Sequence, residues 1–125
     1  VVVAAPASPE NIGLVDKALI SRMKTGVYIV NIARGPVINY DALLAGLKNG
    51  VVAGAGIDVF WKEPFDPGDP ILKKNVIATP HIGGTTESSL RGIGEAVAAN
   101  IERIRIGKEP LCWVNPQAGR ARLDQ

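Results

Sequence analysis

Residues 27–36 have the sequence VYIVNIARGP, and this stretch decides the fold. The segment from Val27 to Ala33 is apolar and rich in β-branched side chains, which is typical of a strand in the interior of a sheet. Gly35 and Pro36 then break the strand, because neither residue supports a continued ladder of backbone hydrogen bonds. The sequence therefore predicts a strand that ends directly before Arg34.

Similar apolar runs stand on either side of this strand and predict three more. Pro6 closes the first run and Pro80 the last, while Gly54 and Gly56 loosen the one between them. Because the first run is continuous, we expect its strand to be buried on both faces. The three runs are Val1 to Ala5, Val51 to Val59 and Asn75 to Thr79.

Helix start and stop signals lie between the predicted strands. Asp16 is placed to cap a short helix that continues to Met23. Asn39 or Asp41 caps a second helix, whose leucines form one apolar stripe, and Gly50 ends it. Strands that alternate with helices in this way predict a mostly parallel sheet, which is half of a doubly wound α/β fold.

The longest helix follows the last strand. Its apolar residues recur at steps of three and four between Glu87 and Ile106, so one face of the helix needs a partner surface. We expect a structural boundary near Pro80, where the long helix leaves the sheet. Residues 1–82 then form the sheet, residues 83–109 carry the long helix, and residues 110–125 form an irregular tail.

Composition argues against several classes of function. The 125 residues carry 14 basic and 12 acidic side chains without a basic cluster, so we expect no nucleic-acid partner. No apolar run is long enough to span a bilayer, so we expect no membrane partner. A single cysteine, Cys112, and the lack of a signal peptide predict a cytoplasmic protein. An organellar location stays open, because the chain begins without methionine.

Charged side chains and the single histidine follow the predicted strands. Arg34 comes after the second strand, Asp58 ends the third with Glu63 shortly beyond, and His81 follows the fourth. Ligands bind beyond the carboxyl ends of the strands in open parallel sheets, so these four residues should lie on one rim. Each residue alone has an ordinary explanation, as an ion pair, a turn aspartate, a solvated loop charge or a structural histidine. Their convergence favours a functional site.

Three sequence motifs surround these residues. They are Asn31-Ile32-Ala33-Arg34-Gly35, Gly56-Ile57-Asp58-Val59-Phe60 followed by Glu63-Pro64, and Thr79-Pro80-His81-Ile82-Gly83-Gly84. Their order and spacing resemble the successive signatures of the D-isomer-specific 2-hydroxyacid dehydrogenases, among them glyoxylate or hydroxypyruvate reductases and phosphoglycerate dehydrogenases. The resemblance implies the C-terminal half of a Rossmann-type sheet that binds NAD or NADP. It also implies an oxidoreductase that interconverts a small 2-keto acid and its D-2-hydroxy acid.

Three residues suit the chemistry of that reaction. A guanidinium can hold the substrate carboxylate while it polarises the neighbouring carbonyl, which suits Arg34. An imidazole titrates near the working pH, so His81 is the candidate acid and base. If Glu63 is hydrogen-bonded to His81, it would raise the imidazole pKa and orient the ring. The resemblance assigns the same three roles.

The resemblance also implies which residues line the cofactor. Asp58 would lie near the nicotinamide carboxamide, and small residues on the rim would let the backbone approach the ring closely. No metal site is predicted. The expected cofactor-binding residues are Ala5, Pro6, Ile32, Ala33, Arg34, Asp58, His81, Gly83 and Gly84.

These 125 residues lack one feature of the family, the phosphate-binding loop G-x-G-x-x-G. We therefore expect the isolated chain to be inactive, and the resemblance implies a homodimer for the full-length enzyme. Two alternatives stay open. A non-catalytic nucleotide-sensing module, similar to the family's co-repressors, could retain Arg34, Glu63 and His81. A formate- or phosphite-type member is the other, although Glu63 argues against the formate type, where a glutamine is usual beside the histidine.

Overall fold

A computed structural model describes residues 1–115 of the chain. These residues form two compact units, Val1–Gly83 and a second unit that begins at Gly84. The first unit contains four strands and two α-helices, and the second contains one long α-helix. The strands are β1 (Val2–Val3), β2 (Val27–Asn31), β3 (Val52–Ile57) and β4 (Val76–Ala78), and the helices are α1 (Lys17–Ser21), α2 (Tyr40–Asn49) and α3 (Glu87–Arg105).

The four strands form one parallel sheet in the order β1-β2-β3-β4. Their last residues are in register across the sheet: Val3 pairs with Asn31, Asn31 with Ile57, and Ile57 with Ala78. The prediction of a parallel α/β sheet is confirmed. Because the strands end side by side, the residues that follow them meet at one rim.

One face of the sheet carries the hydrophobic core of the first unit. Side chains alternate between the faces of a strand, so Ile29 and Ile57 share a face and both are buried. The helix α2 packs against β3 on this face and inserts Leu43, which is fully buried. The remaining buried apolar residues of the same cluster include Val3, Ile20, Ala33, Val37, Ile38, Val52 and Ile71.

The expectation that the first strand is buried on both faces is wrong. Val3 is buried, but its neighbour Val2 keeps 64% of its surface exposed. Tyr28 on β2 and Ile77 on β4 are also exposed. The physical reason is that α1 contacts α2 and α2 contacts the sheet, so the helices of this unit lie on one face only. An apolar run therefore did not distinguish a strand covered on one face from a strand covered on both.

The predicted N-terminal caps of α1 and α2 and the predicted end of α2 are confirmed, whereas α1 ends at Ser21 and does not reach Met23 as expected. Asp16 caps α1 by accepting a hydrogen bond from the Leu19 amide, at 2.7 Å. Asn39, rather than Asp41, caps α2 by accepting from the Ala42 amide at 2.9 Å. Gly50 ends α2 in the left-handed conformation, with φ of 79°.

The helix α3 begins at a capping box formed by Thr86 and Ser89. The apolar stripe that the sequence pattern predicted, Leu90, Ile93, Val97, Ile101 and Ile104, is exposed along its whole length. Residues 106–115 form no further helix or strand, whereas residues 116–125 of the predicted irregular tail lie outside the described residues. Among the described helices, none combines the length and apolar character needed to cross a membrane.

The cap of α2 gives a test of the fold. Replacing Asn39 by alanine removes the side-chain oxygen that accepts from the Ala42 amide, so we expect a loss of about 1 kcal/mol in the free energy of unfolding. Urea titration followed by circular dichroism measures this. Asn39→Asp keeps the acceptor and should stay close to wild type; equal losses in both variants would contradict the assignment of the cap.

Candidate active site

Asn31 organises the turn after β2. It is the last residue of the strand and is 1% exposed. Its side-chain oxygen accepts from the Ala33 amide, and its side-chain nitrogen donates to the Arg34 carbonyl, both at 3.1 Å. Its backbone carbonyl accepts from the Asp58 amide at 3.1 Å. One buried amide therefore ties the Arg34 turn together at the point where β2 meets the end of β3.

Arg34 follows this turn with an extended backbone and an exposed side chain. The guanidinium donates from Nη1 to the Ala33 carbonyl at 2.6 Å. A guanidinium has five N–H donors, so this bond leaves several for a planar acceptor such as a carboxylate. The predicted substrate-binding residue thus lies at the rim with most of its donors unused.

Gly35 allows the β2 turn to touch the segment after β3. It is buried, and a Cβ atom on it would overlap the backbone carbonyl of Phe60 and crowd the amide of Trp61. The crowding atoms belong to the main chain, so they cannot move as a flexible side chain would. Glycine at this position therefore sets the approach between the Arg34 turn and the loop that carries Glu63.

Asp58 holds the segment after β4. Its Oδ1 accepts from the Thr79 hydroxyl at 2.5 Å and from the Ile82 amide at 3.0 Å, and its Oδ2 accepts from the Gly83 amide at 2.9 Å. The bond from Thr79 is the main cause that lowers the pKa of the Asp58 carboxyl, and the two amides act in the same direction. A Cβ on Gly83 would lie 2.8 Å from Oδ2, so glycine permits the close approach.

His81 occupies the segment that Asp58 holds. Its φ is 56°, the left-handed region that residues other than glycine rarely adopt. Such conformations persist when neighbouring contacts impose them, and they cluster at functional sites. The Asp58 hydrogen bonds to the Ile82 and Gly83 amides lie directly after His81 and supply these contacts.

Glu63 and His81 form the central pair of the rim. The Nδ1 atom of His81 lies 2.9 Å from one carboxylate oxygen of Glu63, and the other oxygen accepts from the Phe60 amide at 3.0 Å. The His81 bond is the main cause that lowers the pKa of the Glu63 carboxyl, followed by the Phe60 amide, with a smaller effect of the nearby Arg34 guanidinium. Glu63 is therefore ionised at neutral pH and can only accept, so Nδ1 is the donor and Nε2 is left for another partner.

The structure brings together most of the predicted cofactor residues. A shallow depression beyond β1 and β2 is lined by Ala4, Ala5, Pro6, Ala7, Ile32, Ala33 and Arg34. Asp58, His81 and Gly83 lie beyond the neighbouring strands β3 and β4. Gly84 belongs to the second unit, where its carbonyl accepts from the Ser89 hydroxyl at 2.6 Å. Contact of any of these residues with a cofactor stays a prediction.

Sequence reasoning missed three residues that position this site. Asn31 and Thr79 lay inside the quoted motifs, but their side chains were given no role, and Phe60 acts through its backbone amide. The signal for Asn31 was a polar residue in an otherwise apolar strand, since a buried amide requires hydrogen-bond partners. In residues 1–115, no group of three or more His, Cys, Asp or Glu side chains could hold a metal ion.

A parallel sheet with small residues, a guanidinium and a histidine–carboxylate pair at its carboxyl rim defines a nucleotide-binding α/β domain of the dehydrogenase type. Residues 1–83 match the family model of the D-isomer specific 2-hydroxyacid dehydrogenase, NAD binding domain. The chain belongs to this family, as its three motifs predicted, and its sheet is of the Rossmann type.

Individual relatives support the assignment. The chain is 39% identical over 117 residues to a glyoxylate reductase of Thermococcus gammatolerans, covering 94% of this chain and 35% of that protein. It is 40% identical over 108 residues to a D-3-phosphoglycerate dehydrogenase of Archaeoglobus fulgidus, covering 86% of this chain and 20% of that protein. The chain thus spans about a third or less of the length of these two relatives.

A solved structure shows the same fold. The D-isomer-specific 2-hydroxyacid dehydrogenase of Xanthobacter autotrophicus Py2, in complex with NADPH and MES, aligns with a TM-score of 0.76 and 36% identity. The alignment covers 94% of this chain and 48% of that chain. The sequence identity extends this likeness beyond the fold to the family.

The contact at Gly35 gives a test of the rim. Gly35→Ala forces the Arg34 turn away from Phe60, so we expect a loss of about 2 kcal/mol or more in the free energy of unfolding. Gly84→Ala is the matched control, because a Cβ there meets nothing within 4 Å. Denaturant titration of the two variants compares them, and similar midpoints would contradict the close contact.

The Asp58 cluster gives a test by pH. The folded pKa of Asp58 lies below its ordinary value of 3.8, so its stabilising effect is complete above that pH and disappears as acid protonates the carboxylate. The Ile82 and Gly83 amides donate to this carboxylate, so their NMR shifts report its titration. We expect a midpoint below 3.8 in wild type, and Thr79→Val should raise it. Thr79→Ser keeps the hydroxyl and should not; an unchanged Thr79→Val midpoint would refute the role of Thr79.

Proposed function

We propose that this chain supplies the nicotinamide side of an NAD(P)-dependent dehydrogenase that interconverts a small 2-keto acid and its D-2-hydroxy acid. The observation that carries the proposal is the Glu63–His81 hydrogen bond of 2.9 Å on the same rim as Arg34. A carboxylate, an imidazole and a guanidinium are the groups that carbonyl reduction needs: two to hold and deliver a proton, and one to bind the acid.

Arg34 binds the substrate in this proposal. Its exposed guanidinium offers a planar fork to the carboxylate of a 2-keto acid, and a further N–H can polarise the adjacent carbonyl oxygen. The Asn31 amide holds the Arg34 backbone through the turn, which keeps the guanidinium at the rim. The negative charge that develops on the carbonyl oxygen during reduction is stabilised by this cation.

His81 transfers the proton. With Nδ1 donating to Glu63, Nε2 of the protonated ring can give its proton to the carbonyl oxygen, and it accepts a proton in the oxidative direction. The ionised Glu63 stabilises the protonated ring and holds its orientation, because both carboxylate oxygens are engaged, one by His81 and one by the Phe60 amide.

The residues around the depression fit a nicotinamide ring. Ala5, Pro6 and Ala33 are small or rigid, so the backbone can approach a flat ring closely, and Asp58 follows the neighbouring strand. A bound NAD or NADP would supply the hydride.

Residues 1–82 would be the second half of the cofactor domain. The apolar stripe of the helix within residues 83–109 would pack on a substrate domain of a longer polypeptide.

Kinetics of the complete polypeptide that carries these residues test the proposal. Oxidation of NADH or NADPH is followed with glyoxylate, hydroxypyruvate and pyruvate. His81→Gln should lower kcat by about 10²- to 10⁴-fold, because it removes the acid and base. Arg34→Ala should raise KM and also lower kcat, because the guanidinium binds both the carboxylate and the reacting oxygen.

The controls separate chemistry from folding. Arg22→Ala removes an exposed arginine at the end of α1, away from the rim, and should leave both constants unchanged. The 125-residue chain alone should show no turnover. If wild type reduced none of the three acids above background yet bound NADH, the enzyme proposal would fail and a nucleotide-sensing module would be favoured.

A further inference from the structure

We propose that Tyr40, Trp61 and Asp69 form a clamp that positions Glu63 against His81. The clamp joins both ends of the loop from Trp61 to Asp69 to the start of α2. None of its three residues contacts the substrate or cofactor in the proposed function, on which this inference rests, so they are positioning residues. They act on the reaction only through the placement of the Glu63 carboxylate.

The first end of the loop is held by Trp61. Its indole Nε1 donates to the Ile38 carbonyl at 2.6 Å, and Ile38 itself is fully buried. The Tyr40 ring meets the Trp61 ring edge to face, with centroids 5.0 Å apart and planes at 86°. An edge-to-face pair stabilises the structure by more than the burial of its apolar surface alone. Trp61 is therefore fixed both by a hydrogen bond and by an aromatic contact, two residues before Glu63.

The second end of the loop is held by Asp69. Its Oδ1 accepts from the Tyr40 hydroxyl at 2.6 Å and from the Ile71 amide at 2.9 Å. Ile71 is fully buried, so this end is also tied to the core. Burial and the Asp69 carboxylate raise the pKa of Tyr40 to about 12, and the hydroxyl therefore stays a donor at neutral pH. Tyr40 is the residue that contacts both ends.

Glu63 needs this support because its own surroundings are exposed. About 40% of its side chain is accessible, and so is 38% of the His81 side chain. An exposed ion pair stabilises a protein little when forming it must first order two mobile side chains. It stabilises more when the surrounding structure already fixes their geometry. The stacked rings of Phe60, just before the loop, and Phe65, within it, lie 4.4 Å apart and brace the segment on either side of Glu63. The clamp adds contacts at Trp61 and Asp69, whose side chains take no part in this stacking.

NMR titration of the 125-residue chain tests the clamp, because the chain has a single histidine and its ring signals are unambiguous. The reference is the His81 titration curve of Glu63→Gln, a variant without the carboxylate that faces Nδ1. Tyr40→Phe keeps the ring but removes the hydroxyl, and we expect its midpoint to move from the wild-type value towards that of Glu63→Gln, by about 0.3 pH units or a twofold change in proton affinity. Trp61→Phe, which removes the Nε1 donor, should shift the midpoint in the same direction.

The double variant Tyr40→Phe/Glu63→Gln shows whether the effect passes through Glu63. It should titrate like Glu63→Gln alone, since the clamp has nothing left to position. Tyr28→Phe is the matched control, because Tyr28 is exposed on the open face of the sheet. It should titrate like wild type.

Three results would overturn the clamp. The first is a Tyr40→Phe variant that loses thermal stability while its His81 midpoint matches wild type, since that is a purely structural role. The second is an equal shift in Tyr28→Phe, and the third is a Glu63→Gln variant without any shift. The titration needs no turnover, so these failures are distinct from a failure of the proposed reaction, which appears only as a wild-type polypeptide without activity.

Discussion

The carboxylate of Asp58 accepts three hydrogen bonds from the segment that carries His81, and the geometry of the rim depends on them. A histidine with a φ of 56° adopts a conformation that its own backbone disfavours. The Thr79 hydroxyl and the two amides that follow His81 fix that conformation from both sides. Only then does Nδ1 come within hydrogen-bonding distance of Glu63.

The other reactive groups are held in the same manner, each by a polar side chain that belongs to the fold rather than to the reaction. Asn31 closes the turn before Arg34 with both ends of its amide. The Phe60 amide holds the carboxylate oxygen of Glu63 that His81 does not use. The hydrogen-bonding capacity of the supporting groups is largely spent within the protein, whereas Nε2 of His81 and most N–H groups of Arg34 stay available. This division is what a preorganised site requires.

Much of this arrangement could be predicted from the sequence because it follows from parallel strands. Arg34, Asp58 and His81 each follow a strand, and parallel strands end on the same side of a sheet, so their convergence needed no knowledge of tertiary contacts. The caps Asp16 and Gly50 could also be predicted, because they depend only on nearby sequence. Their signals lie within a few residues of the groups that they satisfy.

The remainder could not be predicted because it depends on contacts between distant residues. The hydrogen bonds from Trp61 to Ile38 and from Tyr40 to Asp69 span 23 and 29 residues, and no periodic pattern marks them. The exposure of Val2 was equally hidden, since apolar composition does not reveal which face of a strand a helix covers. Asn31 shows the intermediate case: a polar residue in an apolar strand was a signal that went unused, and nothing in the sequence marked its two partners.

The order of the strands has a mechanical consequence for the rim. Neighbouring strands of a sheet lie about 4.8 Å apart, and this spacing is fixed by backbone hydrogen bonds. The residues after β2, β3 and β4 are therefore spaced by the sheet itself, whatever the length of the loops that follow. Insertions in those loops can change the surface that a ligand contacts, while the distance between the strand ends stays the same. Thermal motion will likewise disturb the loops before it changes the distance between the strand ends that bear them.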